Sequence, residues 1–408
     1  MRMLMLGFIM GVIAYSVGSL ARYTERQLRM TSNEQDRAIH AMMMPFRPPQ
    51  ESCNCSKSPR TPTYTSTVSE LSIQEFDPSF PVVIATKIQS PHTLGALNQS
   101  LCLLTHAYNH RVNYDIVIFS ATEVSEELLQ GVRDIVAPAK LTFVVDNPGL
   151  QAMVDPLPPL RKKHLLDRCG VTDASQLNWT TRCEETSSSG TTVMPIAYNW
   201  QAEFRSLHIW KHPALAKYRY MIWMDTDAFC SKKWEQDPIA VMRRNNLVIL
   251  FDQFPTGRAN GEEWIPKLNQ AFGKNICEIS MRNGTLRALE GYCKYASHLR
   301  QIYGFFHITD LDFYRSDPVM NWQRIMIGNA TFSRKYDDQI AVTIPAAVLA
   351  GNRSWHMRYF GLNLNVVHNF RMDGNKDEKI GSFKTFWKRN APQMFPEAYG
   401  KCSIVSAG

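Results

Sequence analysis

Charge is scarce in this sequence and never gathered. Asp, Glu, Lys and Arg make up 20% of the 408 residues, and Arg161-Lys-Lys163 is the one tight basic run. The formal net charge of +8 is therefore spread along the chain, which suits attraction to phosphates or other anionic ligands. With no basic stripe interleaved with aromatics and no nucleic-acid motif, a nucleic-acid partner is excluded. Zinc-ligand spacing is also missing, because Cys53-Asn-Cys55 has no later pair of His or Cys to complete a site. No internal repeat appears, which excludes solenoids and propellers. After residue 20 there is no further apolar run long enough to cross a bilayer. At 44% hydrophobic residues the chain is too apolar to be disordered, and it is long enough for one large α/β domain with appendages.

What is present begins at the N-terminus. Residues 4–20, LMLGFIMGVIAYSVGSL, carry no charge and are flanked by Arg2 before and by Arg22, Arg26 and Arg29 after. They are expected to form a membrane helix, so that residues 1–21 make a cytoplasmic tip and signal-anchor; a signal peptide cleaved near Ser16 to Ala21 is the alternative. Both readings export the remainder. Six Asn-X-Ser/Thr sites, at Asn54, Asn98, Asn178, Asn283, Asn329 and Asn352, agree with export. Nine cysteines in an oxidising lumen should mostly pair and leave one over. Cys169 with Cys183 and Cys277 with Cys293 would close short loops, and Cys53 or Cys55 is available for a disulfide-linked dimer.

Residues 22–79 read as a stem, with SKSPRTPTYTSTVSE as its Ser/Thr/Pro-rich part. From residue 80 to 408 the signals alternate. A strand at 81–88, a helix at 93–110, a strand at 114–121, a helix at 125–136 opened by Ser125, and a strand at 141–147 form a β-α-β-α-β series. This predicts a mixed, mostly parallel sheet flanked by helices, with ligands at the C-terminal ends of its strands. A loop-rich insert from Pro148 to about Pro195 is expected to be a surface or substrate-side excursion. A helical stretch from Ala197 to Lys211 follows, then strands at 218–228 and 247–253, YGFFHITDLDFY at 303–314, and a helix at 337–350.

The chemistry gathers at Asp225-Thr-Asp227. An apolar run from Tyr218 to Met224 delivers the two carboxylates to a strand end, where both can reach one hard cation. Such a cation neutralises a departing diphosphate. The bland reading is that one Asp caps the next segment while the other is solvated. Asp310-Leu-Asp312 is a second such triplet, with a strand end or turn as its bland reading. Asp337 and Asp338 open a helix, where carboxylates also serve simply as N-terminal stabilisers. Trp223, Trp264 and Trp355 are candidates for stacking on sugars, though with nine tryptophans most belong to the core.

Through NYDIVIFS, SEELLQGV, YRYMIWMDTDAFC, DPIAVMRRNN, FFHITDLDFYRS, DDQIAVTIPAAVL and WHMRYFGLNLNVVHNF, in that order, the chain resembles the fungal Golgi α-1,2-mannosyltransferases of glycosyltransferase family 15. The resemblance runs from about residue 80 to 375. It implies a GT-A (Rossmann-like) catalytic domain at 80–408 and a single-pass type II protein of the Golgi or ER membrane. The partners it implies are a nucleotide-sugar donor and a glycan or glycoprotein acceptor, with Mn²⁺ or another divalent cation as cofactor. Asp225 and Asp227 stand at the family's metal and donor motif, which there usually reads Glu-Pro-Xaa. His368 matches its metal-ligand histidine, with His356 as the substitute. Tyr198 and Arg205 match donor-binding residues, and Asp338 an aspartate that orients an acceptor hydroxyl. His307 stands where the family has a catalytic glutamate, so either Asp310 or Asp312 takes over that task or no protein nucleophile is used.

The reaction implied is transfer of mannose from GDP-mannose with retention, giving an α linkage. Asp-Thr-Asp-Ala is also similar to the motif of Golgi galactosyl- and xylosyltransferases, which keeps a UDP-sugar donor open. His307 keeps open a catalytically impaired lumenal protein that binds a nucleotide-sugar. A phosphohydrolase would need a second His/Asp metal cluster that the sequence does not offer.

Overall fold

Val82–Ile88 (β1) opens with the apolar run Val82–Ala85 of a strand covered on both faces, and all seven residues, Thr86 and Lys87 included, are buried in the computed structural model of the chain. The structure describes residues 81–88, 94–187, 190–254, 256–273, 298–328, 338–368 and 395–402, with single positions 277, 293, 332, 392 and 393. All described residues belong to one compact unit, Val68–Gly408. The expected anchor at 1–21 and stem at 22–79 lie outside the described residues, as do Cys53, Cys55, Asn54, Asn283 and Asn329. Among the described residues no helix is long and apolar enough to cross a membrane.

From β1 the chain passes through α1 (Leu94–Leu104) to β2 (Asp115–Ser120), and through α2 (Glu126–Val136) to β3 (Leu141–Val145). Ser125 takes the extended conformation of a helix cap with Glu126 and Glu127 in the first turn, but its side chain makes no capping bond. The segment expected to be loop-rich instead holds α3 (Pro159–Cys169) and a hairpin of β4 (Arg182–Ser187) with β5 (Gly190–Pro195). The Cys169–Cys183 disulfide ties these two pieces together. Leu150, Val154 and Leu165 enter the core, so the insert is packed onto the domain and holds regular structure rather than loop alone. Next come α4 (Ile196–Glu203), β6 (Tyr220–Met224), β7 (Ala228–Cys230), β8 (Ile249–Phe251) and β9 (Thr256–Asn260). The remainder is α5 (Gly261–Phe272), β10 (His298–Arg300), β11 (Phe306–Asp310), α6 (Asp317–Ile327), α7 (Asp338–Leu349), β12 (Ser354–His356) and β13 (Val366–His368).

Seven strands form one sheet in the order β12-β8-β11-β6-β1-β2-β3. β1, β2, β3 and β6 run parallel, and β12 runs parallel to β8. Only β11 opposes its neighbours, pairing antiparallel with both β6 and β8. Alternate residues feed two cores. Val83, Met221, Trp223, Ile249 and Phe251 face one helical layer, while Ile84, Ile222, Leu250 and Ile308 face the other. After running outward from β1 to β3 the chain returns to place β6 on the other side of β1. That reversal opens a crevice beyond the C-terminal ends of β1 and β6, the usual place for a ligand in an open α/β sheet.

Three disulfides close the unit. Cys169–Cys183 and Cys277–Cys293 span the short loops expected of them, and Cys102–Cys402 joins α1 to the far C-terminal segment. Among the described cysteines, Cys230, buried on β7, is the one without a disulfide, and burial pushes its pKa up. Asn178 and Asn352 are exposed. Asn98 is not on an acceptor loop, since it sits half-buried on α1 and the hydroxyl of Ser100 in its sequon is buried and donates to the Ala228 carbonyl.

Candidate functional site

β6 ends at Met224 and delivers Asp225 into the crevice. The Asp225 amide donates to the Phe305 carbonyl at 2.8 Å, and its carbonyl accepts from Ala228 N at 3.0 Å, so residues 225–228 form a fixed turn. β7 then pairs with β13 in a short antiparallel ribbon that sets His368 opposite Ala228. His368 Nε2 lies 3.1 Å from Asp227 Oδ1 and 3.9 Å from Asp225 Oδ2. The Phe305 ring stacks against the imidazole at 4.7 Å and 14°. One ligand atom from each of Asp225, Asp227 and His368 falls within a 4.8 Å cluster. Two carboxylates and one imidazole form a mixed O/N set suited to a divalent cation of the Mn²⁺ type. The donor set fits, and His356 has no part in it. His356 ends β12, three strands away, where its Nδ1 accepts from the Arg358 amide, and burial depresses its pKa to about 4.

Behind the trio stands a guanidinium. α4 runs into a π turn, Phe204–His208, which carries Arg205 with its side chain 7% exposed. Inserted turns of this kind are frequent at functional sites. Arg205 Nη1 donates to Asp225 Oδ1 at 3.1 Å, and the Trp223 indole donates to the same oxygen at 2.8 Å. Arg205 Nη2 pairs with Asp338 Oδ2 at 2.5 Å and also bonds the Gly304 carbonyl. The guanidinium lies over the Trp223 ring, 4.2 Å from its centroid. Trp223 is thus no sugar platform: it is fully buried, holding Asp225 from below. Trp264 is core as well, and Trp355 is half-buried with its indole donating to Asn352 O.

His307 faces the same small cavity as Arg205, Trp223 and Asp338. It is buried, its Nδ1 has no hydrogen-bond partner, and burial together with the Arg205 charge depresses its pKa to about 3. The imidazole is therefore neutral at any physiological pH. Asp310 does not replace the missing acid. β11 runs against β6, so Phe306 pairs with Met224 near the site while Asp310 pairs with Tyr220 at the opposite edge of the sheet. About 17 Å of strand separates Tyr220 from Asp225. There Asp310 caps the turn Leu311–Tyr314 by accepting from Asp312 N at 2.9 Å and pairs with Arg219 at 3.5 Å. Asp312 pairs with Arg219 and Arg315 beside it.

The structure thus brings together Asp225, Asp227, His368, Arg205, Asp338 and His307, and sends Asp310 elsewhere. Tyr198 is half-buried on α4, seven residues ahead of Arg205. Sequence reasoning missed Gly304. A Cβ there would stand 2.6 Å from Asp338 Oδ2 and 3.3 Å from Arg205 Nη2, so only glycine lets the pair close over it. A glycine inside an aromatic strand run was the available signal. It also missed Lys87, fully buried near the end of β1 and ion-paired to Asp146, whose other oxygen accepts from the Trp200 indole at 2.7 Å. Burial lowers the Lys87 pKa, with Asp146 opposing the shift. This latch fastens α4, and with it Arg205, to the strand ends.

No protein-family model matches the chain, and no curated protein matches it in sequence. Among solved structures, the mannosyltransferase Ktr4p from S. cerevisiae is similar with a TM-score of 0.52 at 17% identity, over 68% of this chain and 69% of its own. The same enzyme in complex with GDP gives 0.52 at 16% identity, over 71% of each chain. Core-mannan synthase A (CmsA/Ktr4) from Aspergillus fumigatus, in its Mn/GDP form, gives 0.49 at 15% identity, over 68% and 72%. At such identities the likeness is one of fold: the described chain has the α/β fold of the Ktr4p mannosyltransferase.

Proposed function

We propose that this chain is a metal-dependent glycosyltransferase, acting in the lumen of the secretory pathway on a glycan or glycoprotein acceptor. The observation that carries the reading is the Asp225–Asp227–His368 cluster at the end of β6, in the crevice of a sheet shared with Ktr4p. Three disulfides support an oxidising compartment. The first donor reading is GDP-mannose, supported by the sequence resemblance and by the fold shared with a mannosyltransferase crystallised with GDP.

A divalent cation held by Asp225, Asp227 and His368 would supply positive charge to the diphosphate as it departs. Arg205 adds a fixed cation behind Asp225. The neutral His307 supplies no carboxylate, and Asp338 is engaged by Arg205. This arrangement favours front-face transfer over a covalent intermediate. In front-face transfer, the bond from the anomeric carbon to the phosphate oxygen breaks as the acceptor oxygen bonds to that carbon on the same face. The acceptor proton leaves to the departing diphosphate, and configuration is retained.

Turnover of the full chain with Mn²⁺ and a panel of GDP- and UDP-sugars tests this, reading released nucleotide. One donor should be consumed, and Asp225→Ala/Asp227→Ala should lower the rate by on the order of a thousandfold or more. A rate unchanged in the double variant would sink the reading. His307 favours one rival, an inactive lumenal protein that binds a nucleotide-sugar. It predicts binding with Mn²⁺ and no released nucleotide from any donor.

A further inference from the structure

The expectation for Asp338 was contact with an acceptor hydroxyl, yet its carboxylate turns inward. Asp338 is 8% exposed, opens α7, and reaches Arg205 Nη2 at 2.5 Å while the other arm of the same guanidinium holds Asp225 Oδ1 at 3.1 Å. We propose that Asp338 is a positioning residue for the metal site, setting the orientation and charge of Asp225 through Arg205. The inference rests on the metal-site reading above and gives Asp338 a different task from the one implied by family resemblance.

Two physical effects carry it. The first is geometric. A guanidinium is a rigid planar fork, and fixing one arm fixes the other. Arg205 is gripped by Asp338 on one side, by the Gly304 carbonyl, and by the Trp223 face below. Its free arm, together with the Trp223 indole, therefore pins Asp225 Oδ1 and leaves Oδ2 as the oxygen directed toward His368. The second effect is electrostatic. A cation pressed against a metal ligand competes with the metal for that ligand's charge. Asp338 shares the guanidinium charge, so Asp225 keeps enough negative charge to bind a cation. Gly304 belongs to the device, since any side chain at that position would push the Asp338 and Arg205 groups apart.

Removing an outer partner of a metal ligand commonly costs ten- to a hundredfold in metal affinity. The test is direct Mn²⁺ binding to the full chain, without donor or acceptor, followed by loss of the free-ion paramagnetic resonance signal. Asp338→Asn should raise the Kd by roughly ten- to a hundredfold. Arg205→Lys, which keeps the charge and loses the fork, should do likewise, and the double variant should be no weaker than the worse single one, as for residues acting in one chain. Circular dichroism melting of each variant separates loss of metal from loss of fold. Full-affinity Mn²⁺ binding by a folded Asp338→Asn overturns the proposal, and so do strictly additive effects of the two substitutions. Wild type that binds no Mn²⁺ at all overturns the metal reading itself and this inference with it, a result distinct from either of the others.

Discussion

At Gly304 the difference between one hydrogen and one methyl group decides whether an ion pair closes. Gly304→Ala should destabilise the fold by about 1–3 kcal/mol, as overpacking of a filled site does, seen as a lower urea midpoint. Gly131 on α2 has nothing within 4 Å of an added Cβ, and Gly131→Ala should instead stabilise by about 0.4–1 kcal/mol in the same assay. His307 gives a pH signature. Its folded pKa, about 3, lies below the ordinary 6.5, so the unfolded chain takes up a proton that the fold refuses. That contribution is complete above pH 6.5 and is lost as pH falls toward 3, at about 1.4 kcal/mol per pH unit. His356, depressed to about 4 by burial, adds a second proton of the same sign. Unfolding free energies from pH 6.5 to 4.5 should fall less steeply in His307→Gln, by one proton's worth of slope. Of the residues at the site, Asp225 and Asp227 were legible because an apolar run ends on them. Gly304 was not, because a glycine's role lies in what crowds it, which only the folded chain reveals.

Among elements, the parallel strands were legible and β11 was not. β1, β2 and β6 announce themselves by apolar runs flanked by helices, and the short αβ connections fix their direction. β11 has the same composition, but its direction is set by pairing with β6 and β8, which the local sequence does not encode. That reversal alone moved Asp310 from candidate catalyst to turn cap. The π turn at Phe204–His208 was equally hidden, since propensity registers a helix there and not the extra residue that aims Arg205. The hairpin of β4 and β5 escaped notice because Arg182–Ser187 lacks apolar alternation. On β7, Cys230 should stay unreactive to iodoacetamide in the native protein and react once it is unfolded. Peptide mapping without reductant should recover Cys102–Cys402, Cys169–Cys183 and Cys277–Cys293, and a different pairing would contradict the arrangement described.

On the scale of the whole molecule, the seven-stranded sheet and its crevice follow from alternating strands and helices. Where the site falls follows from the return of the chain to β6 beside β1. One long bond changes what that architecture can survive. Cys102 and Cys402 stand 300 residues apart and are joined, so nearly the whole folded unit is a covalent ring. A protease cutting once at an exposed turn inside that ring, such as the one at Asp155 and Pro156, would open a circle and not release a fragment. Nicked molecules would keep their mass on a non-reducing gel, and the six residues gathered around the crevice would stay tethered to one another until a reductant arrived.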